Sequence, residues 1–158
     1  MRIIVGCDHA GFKETEGLVY HLKQMFPDDT ITWLGTHHNV SCDYPDYAHG
    51  VCRIILGVGA DFGILVCGTG IGMSMVANRY NGIRAALCVN GEMAKMSREH
   101  NDANVLCLGA RVIGGEDDFN NGSCVSGFDP PLYIVQTFLT TQFEGGRHQR
   151  RIDKIERS

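Results

Sequence analysis

Short, continuous apolar runs alternate along this chain with longer stretches in which apolar residues recur every three or four positions. The runs fall at residues 2–7 (RIIVGC), 62–67 (FGILVC), 83–89 (IRAALCV) and 104–109 (NVLCLG), with a weaker one at 31–34 (ITWL). Continuity rather than strict alternation marks strands buried on both faces, the pattern of a parallel sheet. Between them, residues 12–26 place Phe12, Leu18, Val19, Leu22, Met25 and Phe26 mainly on one side of a helix. Residues 46–57 and 71–80 follow the same spacing, and 92–99 (EMAKMSRE) is a shorter helix candidate. Strand and helix alternate, so the predicted class is α/β: an open, mostly parallel, Rossmann-like sheet with helices on both faces.

The rhythm breaks at residues 115–131 (GEDDFNNGSCVSGFDPP), which carry glycines and prolines without apolar periodicity and read as a loop. A helix is expected from about Pro131 to Phe143, its first turn tolerant of proline. Gly145 and Gly146 end it, and a basic arm or helix follows at about 147–158. With 158 residues, no internal repeat and no linker, the chain is expected to form one domain.

Composition narrows the function. The formal charge is −4, so no global field recruits nucleic acid or an anionic membrane, and an anionic ligand must find a local basic cluster. The seven cysteines, at 7, 42, 52, 67, 88, 107 and 124, form neither a Cys-x-x-Cys pair nor a short-spaced framework. Free thiols in a reducing cytoplasm are the expectation, with no secretory leader and no membrane span. Of the seven histidines only His37 and His38 are adjacent, and no H-E-x-x-H or paired Cys/His spacing suggests a metal.

In open α/β sheets ligands bind beyond the carboxyl ends of the strands. The residues there are Asp8-His9, Gly68-Thr69-Gly70 and Gly109-Ala110-Arg111. The run Cys67-Gly68-Thr69-Gly70-Ile71-Gly72 turns a strand into a helix through three glycines, letting backbone N–H groups approach an anionic oxygen. Met73 stands where the dinucleotide motif needs glycine, and no phosphate-loop lysine follows, so a nucleotide site is disfavoured. Such a turn can serve tight packing alone. A cysteine opening a helix, however, tends towards a thiolate, which is a nucleophile or a base. Asp8-His9 can fix an imidazole tautomer, bind phosphate or shuttle protons, although a lone histidine is more often structural. His100-Asn101-Asp102-Ala103-Asn104, at the mouth of the last strand, is expected to reach the same ligand edge. In the basic tail, Arg147 and Arg151 share a helix face, and guanidinium forks match phosphate.

Six blocks then form a pattern: GCDHAGFK at 6–13, DYPDYA at 43–48, CGTGIGMS at 67–74, ANRYNGIRA at 77–85, SREHNDANVL at 97–106 and EGGRHQRR at 144–151. Together they resemble the type B ribose-5-phosphate isomerases and their galactose-6-phosphate isomerase relatives. The resemblance implies interconversion of an aldose and a ketose phosphate through an enediol, in the pentose phosphate pathway, with a cysteine base and neither metal nor other cofactor. It makes Cys67 the proton-transfer base and the N–H groups of Gly68 through Gly72, Gly70 included, the enediolate cradle. His100, helped by Asp8 and Thr69, would open the furanose ring. Tyr44 and Asn101 would contact the sugar, and His9, Arg111, Arg147 and Arg151 the phosphate. It further implies a homodimer or homotetramer with shared active sites. Residues 116–130 are longer and richer in glycine than the family's pattern leads one to expect there.

Ribose 5-phosphate is the expected substrate, with a six-carbon aldose 6-phosphate, galactose or allose, as the nearest rival. A non-catalytic sugar-phosphate-binding module would have no need of both Cys67 and His100. A thiol redox protein would be expected to carry Cys-x-x-Cys.

Overall fold

The computed structural model describes residues 1–57, 59–113 and 129–155. Its elements run β1 (Arg2–Cys7), α1 (Phe12–Met25), β2 (Thr30–Trp33), α2 (Tyr44–Gly57), β3 (Phe62–Cys67), α3 (Ile71–Ala77), β4 (Ala85–Leu87), α4 (Gly91–Asn101), β5 (Val105–Gly109), α5 (Pro131–Thr140) and α6 (Arg147–Ile152). The five strands form one parallel sheet in the order β2-β1-β3-β5-β4. The expected α/β architecture is therefore present.

Side chains along each central strand alternate between two cores, which is why the runs are continuously apolar. Ile3, Val5, Ile64, Val66, Leu106 and Leu108 pack with Leu18, Leu22, Ile134 and Phe138 of α1 and α5. Ile4, Leu65, Cys67, Val105 and Cys107 pack with Val51, Ile55, Met73 and Ala77 of α2 and α3 on the opposite face. Burying a Leu, Ile or Phe side chain contributes about 1.5–3 kcal/mol, so both layers fasten their helices to the sheet. The edge strands are short. At β4, Asn78 accepts from the Ala85 N–H and donates to the Ala85 carbonyl, both at 2.9 Å, satisfying backbone groups that an edge otherwise leaves open.

Several boundaries differ from the sequence expectation. The run at 83–89 yields only three strand residues, because β4 is an edge that pairs with β5 alone. The helix expected at 71–80 stops at Ala77, where Asn78 turns its side chain to β4. The helix expected at 92–99 extends over Gly91–Asn101, started by Asn90, whose Oδ1 accepts the Met93 N–H at 2.8 Å. The helix from Pro131 ends at Thr140 rather than Phe143. The loop expected at 115–131 lies outside the described residues up to 128. Among the described residues no helix is long and apolar enough to cross a membrane.

Candidate active site

β1 and β3 are neighbours whose onward connections leave in opposite directions, β1 through α1 to β2 and β3 through α3 towards β4. This divergence opens a crevice beyond their carboxyl ends, the usual ligand position in such sheets. A cavity of about 260 Å³ occupies it, lined by Asp8, His9, Ala10, Tyr44, Cys67, Gly68, Thr69, Gly72 and Arg111. Of the predicted site residues at the ends of β1, β3 and β5, Asp8, His9, Cys67, Gly68, Thr69, Gly72 and Arg111 line it, whereas Gly70 does not.

Each side chain has a local reason for its place. Asp8 is buried, and its Oδ1 accepts the N–H groups of Ala10 and Gly11 at 2.9 and 3.1 Å, tying the end of β1 to the start of α1. His9 Nδ1 accepts the Cys42 N–H at 3.2 Å, which leaves the proton of the neutral ring on Nε2. Tyr44 opens α2, and its ring lies where a Cβ on Gly72 would come within 2.7 Å, so glycine at 72 admits the phenol to the cavity wall. Arg111 is fixed by its N–H to the Gly68 carbonyl at 3.0 Å.

Cys67 ends β3 and is 5% exposed, yet it lines the cavity. Its Sγ accepts the Gly70 N–H at 3.1 Å, a contact suited to a sulfur that carries negative charge. Gly70 makes that contact with φ 75°, and a Cβ there would lie 2.5 Å from Leu87 Cδ1 and 3.0 Å from the Leu108 carbonyl carbon. Thr69 stays in the turn, accepting the Ile71 N–H on Oγ1 at 3.4 Å. Burial pushes Cys7, Cys52 and Cys88 up to about 11, and raises Cys107 well above the ordinary thiol value.

The remaining predicted residues do not line this cavity. The expectation that His100 and Asn101 reach the strand-end site fails within one chain, because they precede β5 and so lie at its amino edge, opposite Cys67. Nor do Arg147 and Arg151 of α6 line it. They gather instead around His148, which stacks on His100. The His100 and His148 rings stack at 4.4 Å with planes 5° apart, and Arg147 Nε donates to His148 Nε2 at 3.3 Å. Burial first, then the neighbouring His100, Arg147 and Arg151, lower the pKa of His148, which stays neutral near pH 7. A larger hollow of about 380 Å³ borders Asn101 but carries none of the other predicted groups.

His148 is the member of this cluster to which the sequence reading gave no role in the site. Its place after Arg147 on a helix four residues beyond Glu144 was the available signal. Ligand atoms of His100, Glu144 and His148 lie within 4.8 Å of one another, the one potential metal-holding group found among the described residues. The arrangement disfavours a cation, since Arg147 already occupies the His148 Nε2 lone pair and Arg151 adds a second positive charge.

Comparison with known proteins agrees with this fold and these motifs. Residues 3–155 match the Ribose/Galactose Isomerase family. Ribose-5-phosphate isomerase B of Escherichia coli strain K12 is 40% identical over 154 residues, covering 98% of this chain and 93% of that protein. The crystal structure of a ribose 5-phosphate isomerase from Thermotoga maritima superimposes with a TM-score of 0.85 at 46% identity, covering 98% of this chain and 97% of the other. The type B ribose 5-phosphate isomerase of Trypanosoma brucei gives 0.85 at 41% identity, with 98% and 96% covered. The chain belongs to the ribose/galactose isomerase family.

Proposed function

We propose that this chain acts as one domain that interconverts ribose 5-phosphate and ribulose 5-phosphate, with Cys67 as the base. The observation that carries the reading is the Cys67 sulfur, held by the Gly70 N–H at 3.1 Å at the wall of a polar cavity. In the ring-opened aldose, Cys67 removes the proton from carbon 2 and returns it to carbon 1. Between the two transfers the charge on the enediolate oxygen is stabilised by backbone N–H groups of the 68–72 turn. Tyr44 lies against the sugar, and His9 with Arg111 receives the phosphate. Binding a group remote from the reacting carbons keeps those carbons in register with the sulfur.

Among the described residues, neither His100 nor Asn101, Arg147 or Arg151 lines the cavity of one chain. We infer that a second copy supplies His100, Asn101, Arg147 and Arg151, in a homodimer or a tetramer built from it. This fits a chain in which Ile71 and Met75 of α3 and Met93 and Met96 of α4 are exposed beside the short edge strand β4. His100, with Asp8 and Thr69 across the interface, then moves the ring-opening proton.

Initial rates on ribose 5-phosphate, galactose 6-phosphate and allose 6-phosphate test the substrate. The reading expects the five-carbon sugar to give the highest kcat/KM. Preference for a six-carbon sugar would reassign the substrate, and inactivity on all three would leave a binding module.

A further inference from the structure

His100 and Asn101 are the last two residues of α4, where a helix leaves carbonyls without partners and tends to fray. Here the end is pinned. Asp102 follows with φ 45° and ψ 45°, the left-handed conformation that glycine or asparagine usually supplies at a helix C-terminus, and it is the one non-glycine residue with positive φ among those described. Its N–H closes on Arg98 and that of Ala103 on Ser97, each at 3.0 Å.

Two guanidiniums hold the Asp102 carboxylate, Arg98 Nη1 on Oδ1 at 2.7 Å and Arg84 Nη2 on Oδ2 at 2.9 Å. Arg84 Nε also donates to the carbonyls of Asn101 and Asp102 at 2.9 Å each. Arg98 is buried, donates to the carbonyls of Ala103 at 2.7 Å and Thr141 at 3.3 Å, and lies 4.9 Å from the centre of the Phe62 ring. The Glu144 N–H reaches the Glu99 carbonyl at 3.1 Å. Thr141 and Glu144 belong to the connection that leads into α6, whose His148 stacks on His100. The last turn of α4 and the start of α6 thus form one hydrogen-bonded block.

We propose that Asp102 is a positioning residue: by bridging Arg84 and Arg98 it presents the His100 ring at a fixed offset from Arg147. Ending the helix does not need a carboxylate, since glycine adopts this conformation more readily. The carboxylate is what links Arg98, on α4, to Arg84, which precedes β4, while Arg98 itself reaches Thr141. The inference rests on the reading that His100 opens the sugar ring.

Asp102→Gly is the suitable test, because it keeps the left-handed cap and removes only the bridge. Asp102→Asn keeps one acceptor, and His100→Ala serves as reference. Each variant is assayed for conversion of ribose 5-phosphate and for solvent-deuterium exchange into ribulose 5-phosphate. The latter cannot close a furanose ring, because its O5 is esterified, so its exchange needs no ring opening. Asp102→Gly should lose about tenfold or more in conversion while exchange stays within about twofold, and Asp102→Asn should show a smaller loss with the same split. Equal losses in both assays, or none, overturn the inference. Should Asp102→Gly melt below the assay temperature, the split in Asp102→Asn decides. If His100→Ala itself loses both activities equally, the ring-opening reading falls and takes this inference with it. If His100→Ala shows the split and the Asp102 variants do not, the positioning inference alone is wrong.

Discussion

Two inactive variants of this chain should restore activity to each other. Cys67 ends β3 beside Gly109, while His100 lies before β5, whose start at Val105 pairs with Gly63. The strand alone separates the two ends by roughly 13 Å, about four rises of 3.3 Å, which no imidazole spans. If His100 serves the cavity of a second copy, a hybrid of Cys67→Ser with His100→Ala carries both lesions in one site and neither in the other. Random pairing of equal amounts makes half the dimers hybrids, each with one intact site, so about a quarter of parental activity should return. The two variants, carrying different affinity tags, are co-expressed, and the doubly tagged species is isolated and assayed with ribose 5-phosphate. Isolated hybrids should show about half the parental rate per dimer. Hybrids as inactive as either parent variant would place His100 in the same chain's site, or outside the chemistry, and would refute the shared-site reasoning.

Arg147→Ala and Arg151→Ala should each raise KM about tenfold or more, the effect of about 1.5–3 kcal/mol for a charge-assisted contact, with melting temperature little changed; unchanged KM would make α6 a solvated face. Gly70→Ala should destabilise by about 2 kcal/mol or more in urea unfolding, because alanine is strained at φ 75° and its Cβ meets Leu87 and Leu108; parental stability would show that the turn relaxes. For His148 the lowered folded pKa means that the unfolded chain binds more protons below 6.5. Stability should therefore be full above that value and fall as pH drops through the folded pKa, and His148→Gln should flatten this part of the melting profile. An identical slope in the variant would assign the acid loss to other groups.

Much of this was legible in the chain because local rules and the fold agreed. The runs RIIVGC and FGILVC became β1 and β3 nearly residue for residue, since strands covered on both faces have no polar positions to blur them. The glycine turn after Cys67 was equally plain, as Gly70 and Gly72 each answer a close contact. His100 and Asn101 were placed on the wrong edge, although strand direction held the answer: residues that precede a parallel strand lie at its amino end. The clamp on Asp102 was legible only in its Arg98 arm, four residues back along the helix. Arg84 and Thr141 join it only through the packing of α4 against α5 and of β4 beside β5.

The central claim is that Cys67 moves the proton, and solvent-deuterium exchange into ribose 5-phosphate, followed by NMR for the parent and for Cys67→Ser, tests it most directly. Serine preserves the volume of the site closely, so the variant should fold and bind sugar phosphate, but its hydroxyl is too weak a base to replace a thiolate. The account expects exchange at carbon 2 to fall on the order of a hundredfold or more, with the melting temperature retained. Exchange persisting in Cys67→Ser near the parental rate would contradict it, and would turn attention to Asp8 across the same cavity.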